Sequence, residues 1–151
     1  MKTTQWYLEK YGESHTHPTN VLIHKIFVPL IMFSVIGILW AIPMPSDYPW
    51  FINPGMALVV LALGFYSSMG LMILLPMILI VAPMIYGNFV LSSSPLFLKI
   101  NLAIFVVGWI FQFVGHKIEG KKPSFIEDLL FLLVGPVWVF YPIIKKIKKS
   151  A

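Results

Sequence analysis

Long stretches without a charged residue dominate the chain and are separated by short polar segments. The charge-free windows cover residues 26–46, 48–98, 100–116 and 129–144. A lysine or an aspartate at the centre of a bilayer costs about 2.5 to 3.5 kcal/mol on insertion scales. Windows of this length that avoid every such residue therefore predict membrane-spanning segments.

The lengths of the windows predict how many helices they hold. A helix that rises 1.5 Å per residue needs about 20 apolar residues to cross the hydrocarbon core. The first and third windows each hold one such helix, and the second is long enough for two. We predict an all-α, polytopic transmembrane bundle that forms a single domain over residues 1–151. Its four spans are expected at about 20–43, 54–66, 71–90 and 97–118.

The segment before the first span predicts a short helix of its own. Thr3 or Thr4 is a suitable N-cap residue, and Gly12 is expected to end the helix. Aromatic and basic side chains recur between these limits at helical spacing. That pattern is typical of an amphipathic helix that lies in the headgroup layer.

The last apolar segment, about 124–144, has two possible arrangements. Between Asp128 and Lys145 lie 16 residues, which make only about 24 Å of helix, and Gly135-Pro136 in their middle predicts a break. If the segment crosses the bilayer, the eleven lysines divide six against five between the two sides. If it is re-entrant or interfacial, ten of the eleven share one side, as the positive-inside rule favours. We therefore predict a broken re-entrant or interfacial segment and cytoplasmic termini, with a crossing as the alternative.

Charge and cysteine content narrow the classes of function. The lysines that give the net charge of +5 stand beside apolar spans. This placement is typical of anchoring to anionic lipid, and we expect membrane lipids but no nucleic acid as partners. The absence of cysteine excludes thiolate metal sites, disulfides and thiol nucleophiles.

The four histidines gather at the edges of two predicted spans. His15, His17 and His24 lie at the start of the first span, and His116 lies at the end of the fourth. With four crossings, these two ends meet at one membrane face, which is the cytoplasmic face in the orientation predicted above. Ionisable groups at such positions are costly to place and indicate a functional site.

Polar residues accompany the histidines at helical spacing. Asn20 lies four residues before His24, Gln112 lies four before His116, and Glu119 lies three after His116. Residues three or four apart share one helix face. The sequence thus predicts two polar stripes that approach each other at the same end of the bundle.

Neutral imidazoles together with a carboxylate suit a divalent transition metal such as iron or zinc. His15, His24 and His116 are the candidate ligands. His17 is a weaker candidate, because a histidine at a membrane interface often serves only as an amphipathic anchor. A second class of protein fits the same pattern: a non-catalytic membrane protein that binds a structural metal, haem or lipid.

Two motifs resemble those of a known family. The stretch HTHPTNVLIHKIFVP contains H-x4-N-x3-H before an apolar span, and GWIFQFVGHKIEGKKPSFIEDL contains Q-x-x-G-H followed by a glutamate, basic residues and a proline. Together they resemble the two motifs of the 2-hydroxy fatty acid dioxygenases, which are small polytopic membrane proteins. The resemblance covers nearly the whole chain, and His17 falls outside the motifs.

The resemblance implies an Fe(II)-dependent α-oxidation in which O2 and a 2-hydroxy fatty acid give a chain one carbon shorter. His15, His24 and His116 would hold Fe(2+), and Asn20, Gln112 and Glu119 would have catalytic roles. The protein would lie in a bacterial inner membrane or, in a eukaryote, in the endoplasmic reticulum. The substrate would enter from the bilayer, and its carboxylate would be attracted by nearby lysines, namely Lys25, Lys117, Lys121 and Lys122. The sequence does not indicate an oligomeric state.

Overall fold

The computed structural model describes residues 3–124 and 129–150, and every regular element among them is a helix. This confirms the predicted all-α class. The helices are α1 (Thr4–Gly12), α2 (Pro18–Trp40), α3 (Pro54–Ser68), α4 (Leu71–Leu91), α5 (Phe97–Glu119) and α6 (Phe131–Ser150).

Three of the predicted spans correspond to helices that are long and apolar enough to cross a membrane, namely α2, α4 and α5. The remaining predicted span is α3, which has 15 residues and a length of about 22 Å. It is shorter than the hydrocarbon core of about 30 Å, so a crossing by α3 stays a prediction. Helix α2 starts and ends earlier than predicted, because His17 caps it and Pro18 occupies its first turn.

Helices α2 and α5 pack against each other along their lengths, and glycines on α5 permit the close approach. A Cβ atom at Gly115 would lie 2.3 Å from Oδ1 of Asn20, and one at Gly108 would lie 2.6 Å from Cγ1 of Ile31. Small residues at such positions let the backbones of membrane helices come together. The pairing is antiparallel and brings the start of α2 beside the end of α5.

Buried asparagines of α4 and α5 contact α2 in its C-terminal half. Nδ2 of Asn88 in α4 donates a hydrogen bond to the carbonyl oxygen of Phe33 at 3.0 Å. A Cβ atom at Gly37 would lie 2.3 Å from Oδ1 of both Asn88 and Asn101. Gly37 therefore allows α4 and α5 to reach α2 at one level of the bundle.

Helices α1 and α6 pack together at the end of the bundle where α2 begins and α5 ends, which we call the histidine end. Tyr7 and Tyr11 of α1 share a buried apolar cluster with Phe131 and Val134 of α6. Thr3 caps α1 as predicted, with its Oγ1 accepting a hydrogen bond from the Trp6 amide at 3.1 Å. Helix α1 thus buries one face against protein.

Helix α6 differs from the broken helix predicted for the last segment. It continues from Phe131 through Gly135 and Pro136 to Ser150, because a proline removes one backbone donor without ending a helix that its neighbours support. The glycine instead makes room, since a Cβ atom there would lie 2.8 Å from the Tyr11 hydroxyl. Residues 125–128 of the predicted segment lie outside the described residues, and whether it crosses or re-enters stays a prediction.

Candidate metal centre

Three histidines from different parts of the chain form one buried cluster. His15 comes from the loop after α1, His24 from the second turn of α2, and His116 from the last turn of α5. Each offers one ring nitrogen, and these nitrogens all lie within 4.8 Å of one another. The ring centroids are 4.2 Å apart for His15 and His24, 4.9 Å for His15 and His116, and 5.0 Å for His24 and His116.

Backbone carbonyl groups orient two of the three rings. Nδ1 of His15 lies 2.6 Å from the carbonyl oxygen of Tyr11, and Nδ1 of His24 lies 2.9 Å from that of Asn20. A nitrogen that faces a carbonyl oxygen must carry the hydrogen and donate it. The lone pair is then on Nε2, which is the arrangement that outer contacts impose on metal-binding histidines.

Two ring nitrogens in the cluster are buried and have no hydrogen-bond partner among the described residues. They are Nε2 of His15 and Nδ1 of His116. A buried polar atom left without a partner costs about 1 to 3 kcal/mol. A metal ion held between the rings would satisfy both nitrogens at once, so these residues fit such an ion.

Burial also determines the charge state of His15. It lowers the pKa of His15 from 6.5 to about 3, and the neighbouring His24 lowers it further in the same direction. His15 is therefore neutral near pH 7 and offers a lone pair. Neutral imidazoles suit a divalent transition metal, whereas magnesium and calcium prefer oxygen ligands.

The carboxylate of Glu119 lies at the end of α5 but binds the loop before α2 rather than joining the imidazole cluster. It accepts hydrogen bonds from the amides of Thr16 at 3.0 Å and His17 at 2.8 Å. It also accepts one from Nδ2 of Asn20 at 3.1 Å, and the Thr16 hydroxyl donates to it as well. Glu119 thus fastens the loop that carries His15 to the helix that carries His116.

Asn20 forms hydrogen bonds both to Glu119 and its loop and to the histidine cluster. Its Nδ2 donates to the Ser14 carbonyl at 3.1 Å as well as to Glu119, while its own carbonyl group orients His24. His17 lies outside the cluster. It is exposed, and its Nδ1 caps α2 by accepting from the Thr19 amide at 3.2 Å.

An apolar cavity of about 380 Å³ begins at the cluster, where His24, Gln112 and His116 form part of its wall. Gln112 is buried, and its Nε2 has no hydrogen-bond partner among the described residues. The wall near the start of α6 includes Leu129 and Leu132, whose side chains are exposed.

Comparison with known proteins agrees with the two sequence motifs. The family described as "2-hydroxy-palmitic acid dioxygenase Mpo1-like" matches residues 1–147. The chain belongs to the Mpo1-like family. It is 32% identical over 143 residues to "2-hydroxy-palmitic acid dioxygenase MPO1" of Saccharomyces cerevisiae, an alignment that covers 91% of this chain and 77% of the yeast protein. No solved structure gives a significant match.

The four lysines predicted to attract a carboxylate lie outside the cavity of this Mpo1-like chain. Lys25, Lys117, Lys121 and Lys122 are all exposed, and none belongs to the cavity wall. The amine of Lys121 donates a hydrogen bond to the carbonyl oxygen of Glu13. The lysines lie around the outside of the histidine end, and their attraction of a substrate carboxylate stays a prediction.

Several residues that surround the cluster were not predicted from the sequence. The Tyr11 ring stacks on that of His15, with centroids 4.1 Å apart and planes 5° from parallel, and Trp138 packs at 5.1 Å from the same imidazole. The hydroxyls of Ser14 and Ser124 lie 2.7 Å apart beside the cluster. Only Tyr11 could have been identified from the sequence, because it precedes His15 by four residues, a spacing at which side chains can contact each other.

Proposed function

We propose that this protein is a membrane-embedded dioxygenase that uses O2 to convert a 2-hydroxy fatty acid into a fatty acid one carbon shorter. The observation that carries the proposal is the buried cluster of three imidazoles at one end of an apolar cavity. The relationship to the yeast 2-hydroxy-palmitic acid dioxygenase supports the same reaction class. A cluster of this kind without a cavity would favour a structural metal site instead.

The reaction balances without any further reductant. A 2-hydroxy acid, R–CHOH–COOH, and O2 contain the atoms of R–COOH, CO2 and water. The bond between the carboxyl carbon and the hydroxyl-bearing carbon breaks, and the latter becomes the new carboxyl group. The substrate supplies all the electrons that O2 accepts, so a small chain with no nucleotide cofactor is sufficient for it.

We further propose that Fe(2+) is the metal and that His15, His24 and His116 hold it. Imidazole ligands suit iron, and three protein ligands leave coordination positions for small molecules. When bound, ferrous iron supplies the redox chemistry that O2 requires, as cofactors generally do in such enzymes. The protein supplies the oriented imidazoles, the apolar surroundings and the exclusion of bulk water.

Gln112 is the residue best placed to contact the substrate head. Its amide nitrogen is buried at the cavity wall next to His116 and lacks a protein partner among the described residues. A hydroxyl or carboxylate oxygen entering the cavity would accept its hydrogen bond. Asn20 and Glu119, which bind the loop and the backbone, act as positioning residues that hold His15 and His24 in place.

The apolar helices support lateral entry of the substrate from a bilayer. Two leucines of the cavity wall, Leu129 and Leu132, are exposed on the outside of the bundle, where lipid tails would cover them. The lysines around the histidine end would attract the acid to this side through their field rather than by contact. We propose an inner-membrane or endoplasmic-reticulum protein whose histidines face the cytoplasm.

The test is metal analysis and O2 uptake on protein purified in detergent. With 2-hydroxypalmitate we expect iron-dependent O2 consumption and a product one carbon shorter, and with palmitate, the matched substrate that lacks the hydroxyl, we expect neither. Both His24→Ala and His116→Ala should abolish turnover. Wild-type protein that binds iron but never consumes O2 with a 2-hydroxy acid would overturn the dioxygenase proposal.

A further inference from the structure

The cavity continues far beyond the histidine cluster along one face of α2. Its wall on that helix is formed by residues at spacings of three, four and one, which share a single face, namely His24, Val28, Ile31, Met32, Val35 and Ile36. From His24 to Ile36 the helix rises about 18 Å. The cavity is therefore elongated and runs parallel to the spans.

The far end of the cavity is closed by packed side chains. Ile36 of α2, Val59 of α3 and Val81 of α4 form a buried apolar cluster in which each is at most 5% exposed. All three also belong to the cavity wall. We call these three residues the floor.

Polar side chains line the cavity mainly toward its histidine end, although the indole of Trp109 and the phenol of Tyr66 also belong to the wall. Gln112, His116 and Ser124 lie at that end, whereas the floor and the wall next to it are aliphatic. A ligand that matches this distribution has a compact polar head and a long unbranched apolar tail. The volume of about 380 Å³ falls within the usual range of about 300 to 1,000 Å³ for ligand sites.

We infer that the floor formed by Ile36, Val59 and Val81 sets the acyl-chain length of the fatty acid that this protein binds. The tail lies along α2, with its head at the histidines and its last methyl group against the floor. This inference rests on the proposed function, since the substrate class comes from there. It adds which residues select among fatty acids of different length.

Ala62 on α3 offers a direct way to shorten the cavity. It lies one helical turn from the floor residue Val59, and its small side chain is part of the wall. Ala62→Phe would fill the space that the end of a long tail occupies. Leu61→Phe is the matched control, because Leu61 is the next residue in sequence but is 71% exposed on the outer face.

The experiment measures binding of plain saturated fatty acids of increasing length to metal-stripped protein, together with turnover of the corresponding 2-hydroxy acids by iron-loaded protein. Ala62→Phe should shift both length profiles toward shorter chains, with affinity for long chains falling about fourfold for each methylene excluded. Leu61→Phe should leave both profiles unchanged. Profiles that are identical in wild type, Ala62→Phe and Leu61→Phe would overturn the inference.

A second variant changes the length in the opposite direction. Ile36→Ala removes side-chain volume from the floor and should extend the profile toward longer acids, and it keeps the inference testable if Ala62→Phe does not fold. Length-dependent binding that shifts with these variants while no O2 is consumed would refute only the dioxygenase proposal. Turnover whose length preference does not respond to either variant would refute only the role of the floor.

Discussion

His24 and His116 stand 92 positions apart in the sequence, yet their ring centroids lie 5.0 Å apart and their planes meet at 85°. The antiparallel pairing of α2 and α5 produces this contact, because the beginning of one helix lies against the end of the other. Both rings are buried. The two helices thus supply two of the three candidate ligands of the metal centre.

Replacing His24 by alanine should remove tight metal binding. The change deletes one of three ligands, and since loss of even an outer contact commonly costs 10- to 100-fold in metal affinity, we expect a decrease of about 100-fold or more. The measurement is metal content after equilibration at a fixed free iron concentration. His17→Asn is the control, because it changes an exposed histidine outside the cluster and keeps a residue that caps α2 well. Equal losses in the two variants would contradict the assigned cluster.

Glu119→Gln should weaken the site without removing a ligand. Glutamine keeps one acceptor oxygen but loses the charge that strengthens the bonds to Thr16, His17 and Asn20. We expect a loss of stability of about 1 kcal/mol, faster proteolysis of the loop over residues 13–19, and metal affinity reduced about 10-fold. Binding lost as completely as in His24→Ala would show instead that Glu119 is itself a ligand.

Gln112→Met should separate stability from catalysis. Because Nε2 of Gln112 is buried without a partner among the described residues, replacing the amide by an apolar side chain of similar length removes a desolvated donor. The melting temperature should therefore stay the same or rise. Turnover should fall about 10-fold or more, because one hydrogen bond to the substrate is lost, with metal content unchanged. A variant that melts markedly lower and keeps its turnover would exclude a substrate contact.

Gly115→Ala should separate α2 from α5. The added Cβ atom would lie 2.3 Å from Oδ1 of Asn20, and relieving that overlap should cost about 1 to 3 kcal/mol of stability and reduce metal affinity as well. Gly64→Ala is the matched control, because nothing lies within 4 Å of a Cβ atom at that helical position. The control should be neutral or stabilised by about 0.4 to 1 kcal/mol. The two changes can be compared by thermal unfolding in the same detergent.

The sequence predicts the parts of this structure that depend on local chemistry. Charge-free windows locate the long helices, and spacing relates His116 to Gln112 because both lie on one helix. The predicted number of crossings also indicates that the start of α2 and the end of α5 share one end of the bundle. These predictions need only helix geometry and the cost of burying charge.

Contacts between segments that are distant in the sequence could not be predicted from local patterns. Glu119 has the spacing of a residue that faces the cluster, but three donors in the loop before α2 bind its carboxylate. Gly135-Pro136 has the composition of a helix break, but the close approach of Tyr11 accounts for the glycine within a continuous helix. Both outcomes depend on which surfaces meet in the folded chain, and helical periodicity carries no information about that.

The loop that carries His15 depends on two separate sets of contacts. Glu119 of α5 accepts hydrogen bonds from the amides of Thr16 and His17, whereas the His15 ring itself stacks on Tyr11 of α1 and packs beside Trp138 of α6. Loosening of α1 from α6 would therefore free the His15 imidazole while its neighbouring backbone stayed attached and His24 remained beside His116.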